Sequence, residues 1–317
     1  MIRQTAVALA AALSAVFIPS SHAWVEDFST SPFPTWSFGV GDNSNSQFAW
    51  NNDAPKYSGD APGSLTVNLN SALPTARLDR PIGATFTQSD NFTLKVRFSF
   101  NVISAPTDTA AQIAFGLVNS ALTGGDRTGS FSNFFSSDFF HTVEFNYFPQ
   151  LSTWNPATPG PTLTPVVAGA QKGGGDAFSN FAAIFGPASD LGANPPPLIT
   201  ELPEDVVLEA VLDYDGFTRE LSLTMYQVQS DGSLTLLLTG VPPLDLDTQF
   251  SYDTNYPFVV DTVAIMAYQD GYTDPNNPSL VATVTFERIE FIPEPTTGLL
   301  VGLGVTLAAI STRWRRS

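Results

Sequence analysis

The chain has 317 residues, no cysteine, and 30 acidic against 13 basic residues, for a net charge of −17. Absent thiols exclude disulfides, cysteine nucleophiles and cysteine-ligated zinc. The acidic balance disfavours nucleic acid and anionic lipid surfaces as partners and suits a soluble body that meets cations or neutral polymers. In chain order, the first element is Met1 to Ala23. It has one early cation, Arg3, an apolar stretch from Ala6 to Ile18, Pro19, and Ser21-His22-Ala23 as a small-x-small cleavage site. This pattern is that of a secretory signal peptide cut after Ala23, leaving Trp24 as the first mature residue.

Residues 24–292 carry nine basic and 29 acidic residues, a net charge of about −20. Their length suits one large all-β domain. Alternation is clearest at Asn91 to Phe100, where Phe92, Leu94, Val96, Phe98 and Phe100 share one face and Thr93, Lys95, Arg97 and Ser99 the other. Strands are also predicted at Ser64–Asn68, Gln112–Val118, His141–Phe148, Val206–Leu212, Glu220–Val228, Leu234–Thr239, Val259–Tyr268 and Val281–Phe291. Turn signals such as Asp215-Gly216, Asp231-Gly232 and Asp274-Pro275 separate them. In the last strand Val284 and Phe286 share one phase and Ile289 and Phe291 the other, which predicts a β-bulge near Glu287-Arg288. Many strands without alternating helices point to a two-sheet antiparallel sandwich. The Gly- and Pro-rich segment 155–203 reads as one long loop insertion, with Phe181, Ile184 and Phe185 folding back as a lid or short helix.

The C-terminal order is Pro293-Glu294-Pro295, an uncharged apolar run from Thr296 to Thr312, then Arg313, Trp314, Arg315 and Arg316. Seventeen residues rise roughly 25 Å as a helix, close to the shortest span of a hydrocarbon core. The arginines hold that end in the cytoplasm, so residues 24–292 lie outside the membrane. This arrangement resembles the PEP-CTERM sorting signal of bacterial exosortase systems. The resemblance implies sorting by Pro293, Glu294, Pro295, Arg313, Arg315 and Arg316, an exosortase-type peptidase as partner, membrane attachment through helix 296–312, and delivery to the cell surface or extracellular matrix. An ordinary tail anchor is the bland alternative.

Two internal segments, His141 to Pro156 (HTVEFNYFPQLSTWNP) and Val211 to Met225 (VLDYDGFTRELSLTM), resemble the metal-site strand and the hairpin of concanavalin A-like lectin and glucanase domains. That family implies a jelly-roll sandwich. Carried over, its Glu falls on Glu144, its bridging Asp on Asn146, its carbonyl on Phe148, its Asn on Gln150 and its second Asp on Asn155. Two aspartates become asparagines, and the following His is missing, so the charge that calcium needs is reduced. The glucanases of the family place a second Glu where Phe148 and Pro149 stand, so the acid/base pair is missing and no catalysis is expected. His141 is the only histidine left after signal removal, and no Gly-x-Ser-x-Gly elbow accompanies it.

Other ligand candidates are Trp36, Trp50 and Trp154, as stacking platforms for polysaccharide if exposed, beside Glu144, Asn146 and Asn155. The Phe131 to Phe140 aromatic cluster reads as core packing. Asp270, Asp274 and Asn276, in an oxygen-rich loop, are the candidate calcium ligands, although turn chemistry accounts for them equally; no other cofactor is expected. Two functions from different classes therefore stand open: a non-catalytic surface or matrix protein, and a glycan-binding lectin-like module.

Overall fold

The computed structural model describes residues 23–38, 47–54, 56–73, 76–104, 112–121, 141–149, 161–170, 176–179, 198–238, 243–246, 258–267 and 281–294. Seventeen strands follow in order. They are β1 (Trp24–Glu26), β2 (Ser37–Phe38), β3 (Phe48–Asn51), β4 (Ser64–Asn70), β5 (Ala76–Thr87), β6 (Phe92–Ser104), β7 (Ile113–Val118), β8 (Thr142–Phe148) and β9 (Thr162–Ala170). Then come β10 (Asp176–Ser179), β11 (Leu198–Ile199), β12 (Leu208–Asp215), β13 (Glu220–Val228), β14 (Leu234–Leu238), β15 (Leu244–Asp245), β16 (Val259–Ala267) and β17 (Val281–Pro293). No helix among the described residues is long and apolar enough to cross a membrane. The expected signal and membrane helices lie outside the described residues.

The strands form two antiparallel sheets. Sheet A has the order β14-β13-β12-β6-β17-β4-β3, with β1 added beside β17 and β15 beside β13. Sheet B has the order β10-β9-β8-β7-β16-β5-β2, with β11 added beside β9. Inward-facing residues of both sheets make one core. At its centre, the cross-strand pair Phe98 and Phe286 of sheet A meets the pair Phe115 and Phe145 of sheet B. Phe115 and Phe145 stack with centroids 4.5 Å apart, and Phe98 sits edge-on to both, at 5.2 and 5.5 Å. Edge-on contacts bring the positive ring edge to the negative face, worth about 1 kcal/mol per pair beyond burial.

All nine strands expected from alternation are present. The bulge is there too: Phe286 pairs with Phe98 while Arg288 pairs with Arg97, so Glu287 is the inserted residue. Of the described strands that alternation missed, β5 and β9 are the long ones, and proline explains both; the others have two to four residues. Pro81 and Gly83 interrupt β5 where its register against β16 slips between Val260 and Thr262. Pro165 lies in β9 between the stretch paired with β11 (162–163) and that paired with β10 (167–170). A residue without an N–H thus stands where the far edge of β9 has no described partner strand. The 155–203 segment is corrected accordingly: it is not one loop, since it contains β9, β10 and β11.

The two ends of the sandwich body are neighbours. Trp24 pairs with Phe291, so β1 begins immediately after Ala23 beside the last turn of chain before Pro293. Ala23 is exposed, Pro293 closes β17, and the amide of Glu294 donates to the carbonyl of Asn91 at 3.0 Å.

Candidate functional site

Residues of β8 alternate between two faces. Val143, Phe145 and Tyr147 enter the core, which turns Glu144, Asn146 and Phe148 to the outer face of sheet B. Strand register lays out that face in two rows. One runs Val166, Glu144, Gly116, Ala264, Asp79, and the next runs Thr164, Asn146, Ala114, Met266, Arg77. Gly116, Ala264, Ala114 and Met266 in the middle are flanked by an acid and amide on one side and an ion pair on the other. Nε and Nη2 of Arg77 bond Oδ1 and Oδ2 of Asp79 at 2.6 and 2.7 Å. Burial pushes the Asp79 carboxyl upward, and Arg77 opposes the shift. Gly116 allows the approach of β7 to β8, since a Cβ there would lie 2.2 Å from the carbonyl oxygen of Val143 and 2.7 Å from Cα of Glu144.

This row corrects the reading of Glu144 and Asn146 as accessible ligand contacts. Both are 0 % exposed, and Nδ2 of Asn146 donates to Oε2 of Glu144 at 3.2 Å. Polar alternation marks the face opposite the core, but it does not say whether that face is wet. Trp36 is corrected as well. It is 3 % exposed, with Nε1 donating to Oε2 of Glu26 at 2.9 Å and its ring against Trp24 and Phe28. Trp50 packs part-buried on the core and donates to the carbonyl of Phe28 at 2.8 Å. The Trp36 indole offers no free stacking face, and the Trp50 indole is partly covered. Trp154, Asn155, Asp270, Asp274, Asn276, Pro295 and the terminal arginines lie outside the described residues. Among the described residues no group of three acids or histidines could hold a metal ion.

His141 is positioned as a clamp. Its Nδ1 accepts the backbone N–H of Val259 at 2.9 Å, which ties β8 to the start of β16. An Nδ1 that accepts carries no proton, whereas a triad histidine must donate Nδ1–H to a carboxylate. Burial holds its pKa below the ordinary value. The imidazole is therefore neutral and turned away from the geometry that nucleophile activation requires.

The outer face of sheet A is different, open and charged, and the sequence reading did not single it out. Arg97 bonds Oε2 of Glu209 through Nε and the Tyr57 hydroxyl through Nη1 at 2.9 Å, with its guanidinium 5.1 Å over the Tyr57 ring. Beside it the bulge delivers Glu287, 1 % exposed, to Lys56, whose Nζ lies 2.8 Å from Oε1. Distance rather than alignment holds this pair: neither Glu287 oxygen accepts an aligned hydrogen bond among the described residues. Burial raises the Glu287 pKa, and Lys56 opposes the shift.

Lys56 also lines a groove of about 290 Å³ together with Ser99, Asn101, Asp205, Thr283 and Thr285. Asp205 adopts a left-handed backbone (φ 57°), donates its N–H to the carbonyl of Phe100 at 3.0 Å, and accepts from Nδ2 of Asn101 at 3.0 Å. Hydroxyls, one amide, one carboxylate and one ammonium converge there. Such a set can exchange hydrogen bonds with a neutral hydroxyl-rich ligand. The signal for this site was the bulge at Glu287, which the two-phase pattern of the last strand announced without naming a partner.

No protein-family model and no curated protein matches this sequence. Among solved structures, the chain is similar to a seed lectin isoform of Lotus tetragonolobus, at 12 % identity over 86 % of this chain and 100 % of that one, with a TM-score of 0.42. It is similar to the carbohydrate recognition domain of Emp47p at 13 % identity, over 87 % and 96 % of the chains, with a TM-score of 0.39. It is similar to the cellulose induced protein Cip1 at 14 % identity, over 85 % and 96 %, with a TM-score of 0.40. Scores of this size transfer neither ligand nor role to this chain, and the two-sheet architecture rests on its own strand pairing.

Proposed function

We propose that this is an exported, non-catalytic surface or matrix protein, a concanavalin A-like jelly roll delivered by its C-terminal sorting signal. One observation carries the reading: the sandwich begins at Trp24, immediately after the expected cleavage site, and its last strand ends at Pro293, where the Pro-Glu-Pro motif starts. The described strands fall between the expected cleavage site and the first proline of the motif, which closes β17. Passage of the chain between sheets at β4, β5, β6 and β7, and again at β15, β16 and β17, supports the jelly roll. The accepting Nδ1 of His141 and the burial of Glu144 beside an amide support a non-catalytic role.

Replacing Pro293, Glu294 and Pro295 by alanine tests the sorting role. Alanine at 294 keeps the backbone N–H that bonds Asn91, and alanine at 293 can stay paired with Phe92, so the melting temperature of the variant is measured beside its processing. Processing by the exosortase-type peptidase in the native host should stop; unchanged processing would sink the reading.

The polar groove beside Lys56 favours a second reading, a glycan-binding module for extracellular polysaccharide. Binding of residues 24–294 to a polysaccharide array, with and without calcium, checks it. Asn101→Ala with Asp205→Ala should abolish any binding seen.

A further inference from the structure

Phe217 is the most exposed large apolar side chain among the described residues, at 90 %. It lies in the turn between β12 and β13, and that turn is held on several sides. Oδ1 of Asp215 accepts the N–H groups of Phe217 at 2.7 Å and Thr218 at 3.2 Å. The N–H of Gly216 donates to Oδ1 of Asn91 at 2.8 Å, and the Tyr214 hydroxyl donates to the carbonyl of Gln88 at 2.8 Å. A Cβ at Gly216 would come within 2.4 Å of the Ser89 carbonyl carbon, so the turn rests directly on the β5–β6 connection. A ring on such a turn cannot fold back to hide. Leaving a phenylalanine in water forfeits about 2 kcal/mol of burial.

The same Asn91 ties down the end of the sandwich. Its side chain takes Gly216 while its carbonyl accepts the N–H of Glu294. Phe92 is flanked by Pro293 on one side and Tyr214 on the other, so the turn projects from the pole where β17 ends. Past Glu294 there is only Pro295 before the apolar run opens at Thr296. Two Cα steps reach at most about 7 Å. While the run spans a bilayer, this pole has no room to stand off from the headgroups.

We infer that the β12–β13 turn is a membrane-contact site in which Phe217 enters the headgroup region of a phospholipid bilayer. The inference rests on the membrane-attached reading above. Phenylalanine, like Trp and Leu, is a side chain that surface-bound elements bury at the headgroup/acyl boundary. Around the turn, Asp90, Asp215, Glu220, Asp245 and Glu294 outnumber Arg219, so the contact selects zwitterionic over anionic headgroups. One phenylalanine binds a membrane weakly, but the tether supplies a high effective concentration. The contact therefore orients the domain while the tail is in place and releases it when the tail is removed.

The cysteine-free chain permits single-thiol probes. Thr218→Cys, with Phe217 intact, and Ile103→Cys, 65 % exposed at the other end of β6 and roughly 35 Å away, are labelled with a fluorophore in the full chain and reconstituted into phosphatidylcholine vesicles. Flotation reads the span; quenching by a lipid-borne quencher reads the contact. Quenching at position 218 should exceed that at 103 several-fold, fall when Phe217→Ser is added, and weaken when phosphatidylglycerol replaces part of the lipid. Equal quenching at both positions in a chain that floats overturns the contact and leaves the span standing. A chain that does not float overturns both.

Discussion

Lys56 and Glu287 form an ion pair 2.8 Å long in which one partner is half in water and the other is buried by a β-bulge. Removing the lysine leaves a buried carboxylate without its counter-charge, which is the costly way to break such a pair. Lys56→Ala should lower unfolding stability by about 1–3 kcal/mol, the range reduced because Lys56 is solvent-screened. Adding Glu287→Gln should restore part of it. Urea midpoints of the two singles and the double variant check the cycle; equal losses in the first single and the double would refute it.

The same pair has a pH signature. Burial raises the Glu287 pKa above its ordinary 4.5, so the folded state holds its proton where the unfolded state has lost it. Stability from this group is present below the ordinary value and declines as pH rises through the raised one. The difference in melting temperature between Glu287→Gln and the unmodified protein should grow over that window and level off above it.

His141 runs the other way. Its folded pKa lies below the ordinary 6.5, so its contribution is present above that value and is lost as pH falls through the folded one. Nitrogen-15 NMR of the mature domain should show a neutral ring with Nδ1 unprotonated at pH 7. A proton on Nδ1 would contradict the clamp and reopen a catalytic reading.

How much of this was legible in sequence depends on what each pattern encodes. A period of two reports which residues face the core, and Phe92 to Phe100 and the phase change at Glu287 were readable from it. It does not report what lies over the opposite face. Glu144 and Asn146 alternate as a solvated row would, yet both are fully buried, and nothing local to β8 distinguishes the cases. Trp36 and Trp50 fail for a related reason: an indole's exposure is set by residues far along the chain, here Glu26 and Phe28. Alternation did not find β5 and β9, which carry Pro81 and Pro165, because the sequence does not say at which strand positions an N–H is dispensable.

Gly116→Ala tests the closeness of β7 and β8. The added methyl meets backbone rather than a movable side chain, so relief requires the strands to part. A loss of about 1–3 kcal/mol is expected from overpacking, seen as a lower melting temperature. An unchanged melting temperature would show that the strands part freely.

Tyr147 pins the segment before β12 to sheet B, since its hydroxyl accepts the N–H of Leu202 at 3.1 Å within the core. Burial pushes its pKa up to about 12. Tyr147→Phe keeps the ring and strands that N–H, at a cost of about 1–2 kcal/mol. Hydrogen exchange at Leu202 should accelerate; unaltered exchange would place the restraint elsewhere.

The position of β17 has a consequence for timing. It is an interior strand of sheet A, with β6 along one edge and β4 and then β1 along the other. A ribosome delivers it after every other described strand. Until residue 293 emerges, β1, β4 and β6 each lack the strand that joins them in sheet A. Contacts of this sequence separation form slowly, and a chain obliged to wait for them stays unfolded through synthesis. The same arrangement that sets the two ends of the sandwich side by side thus delays its closure until the C-terminal motif is itself about to follow.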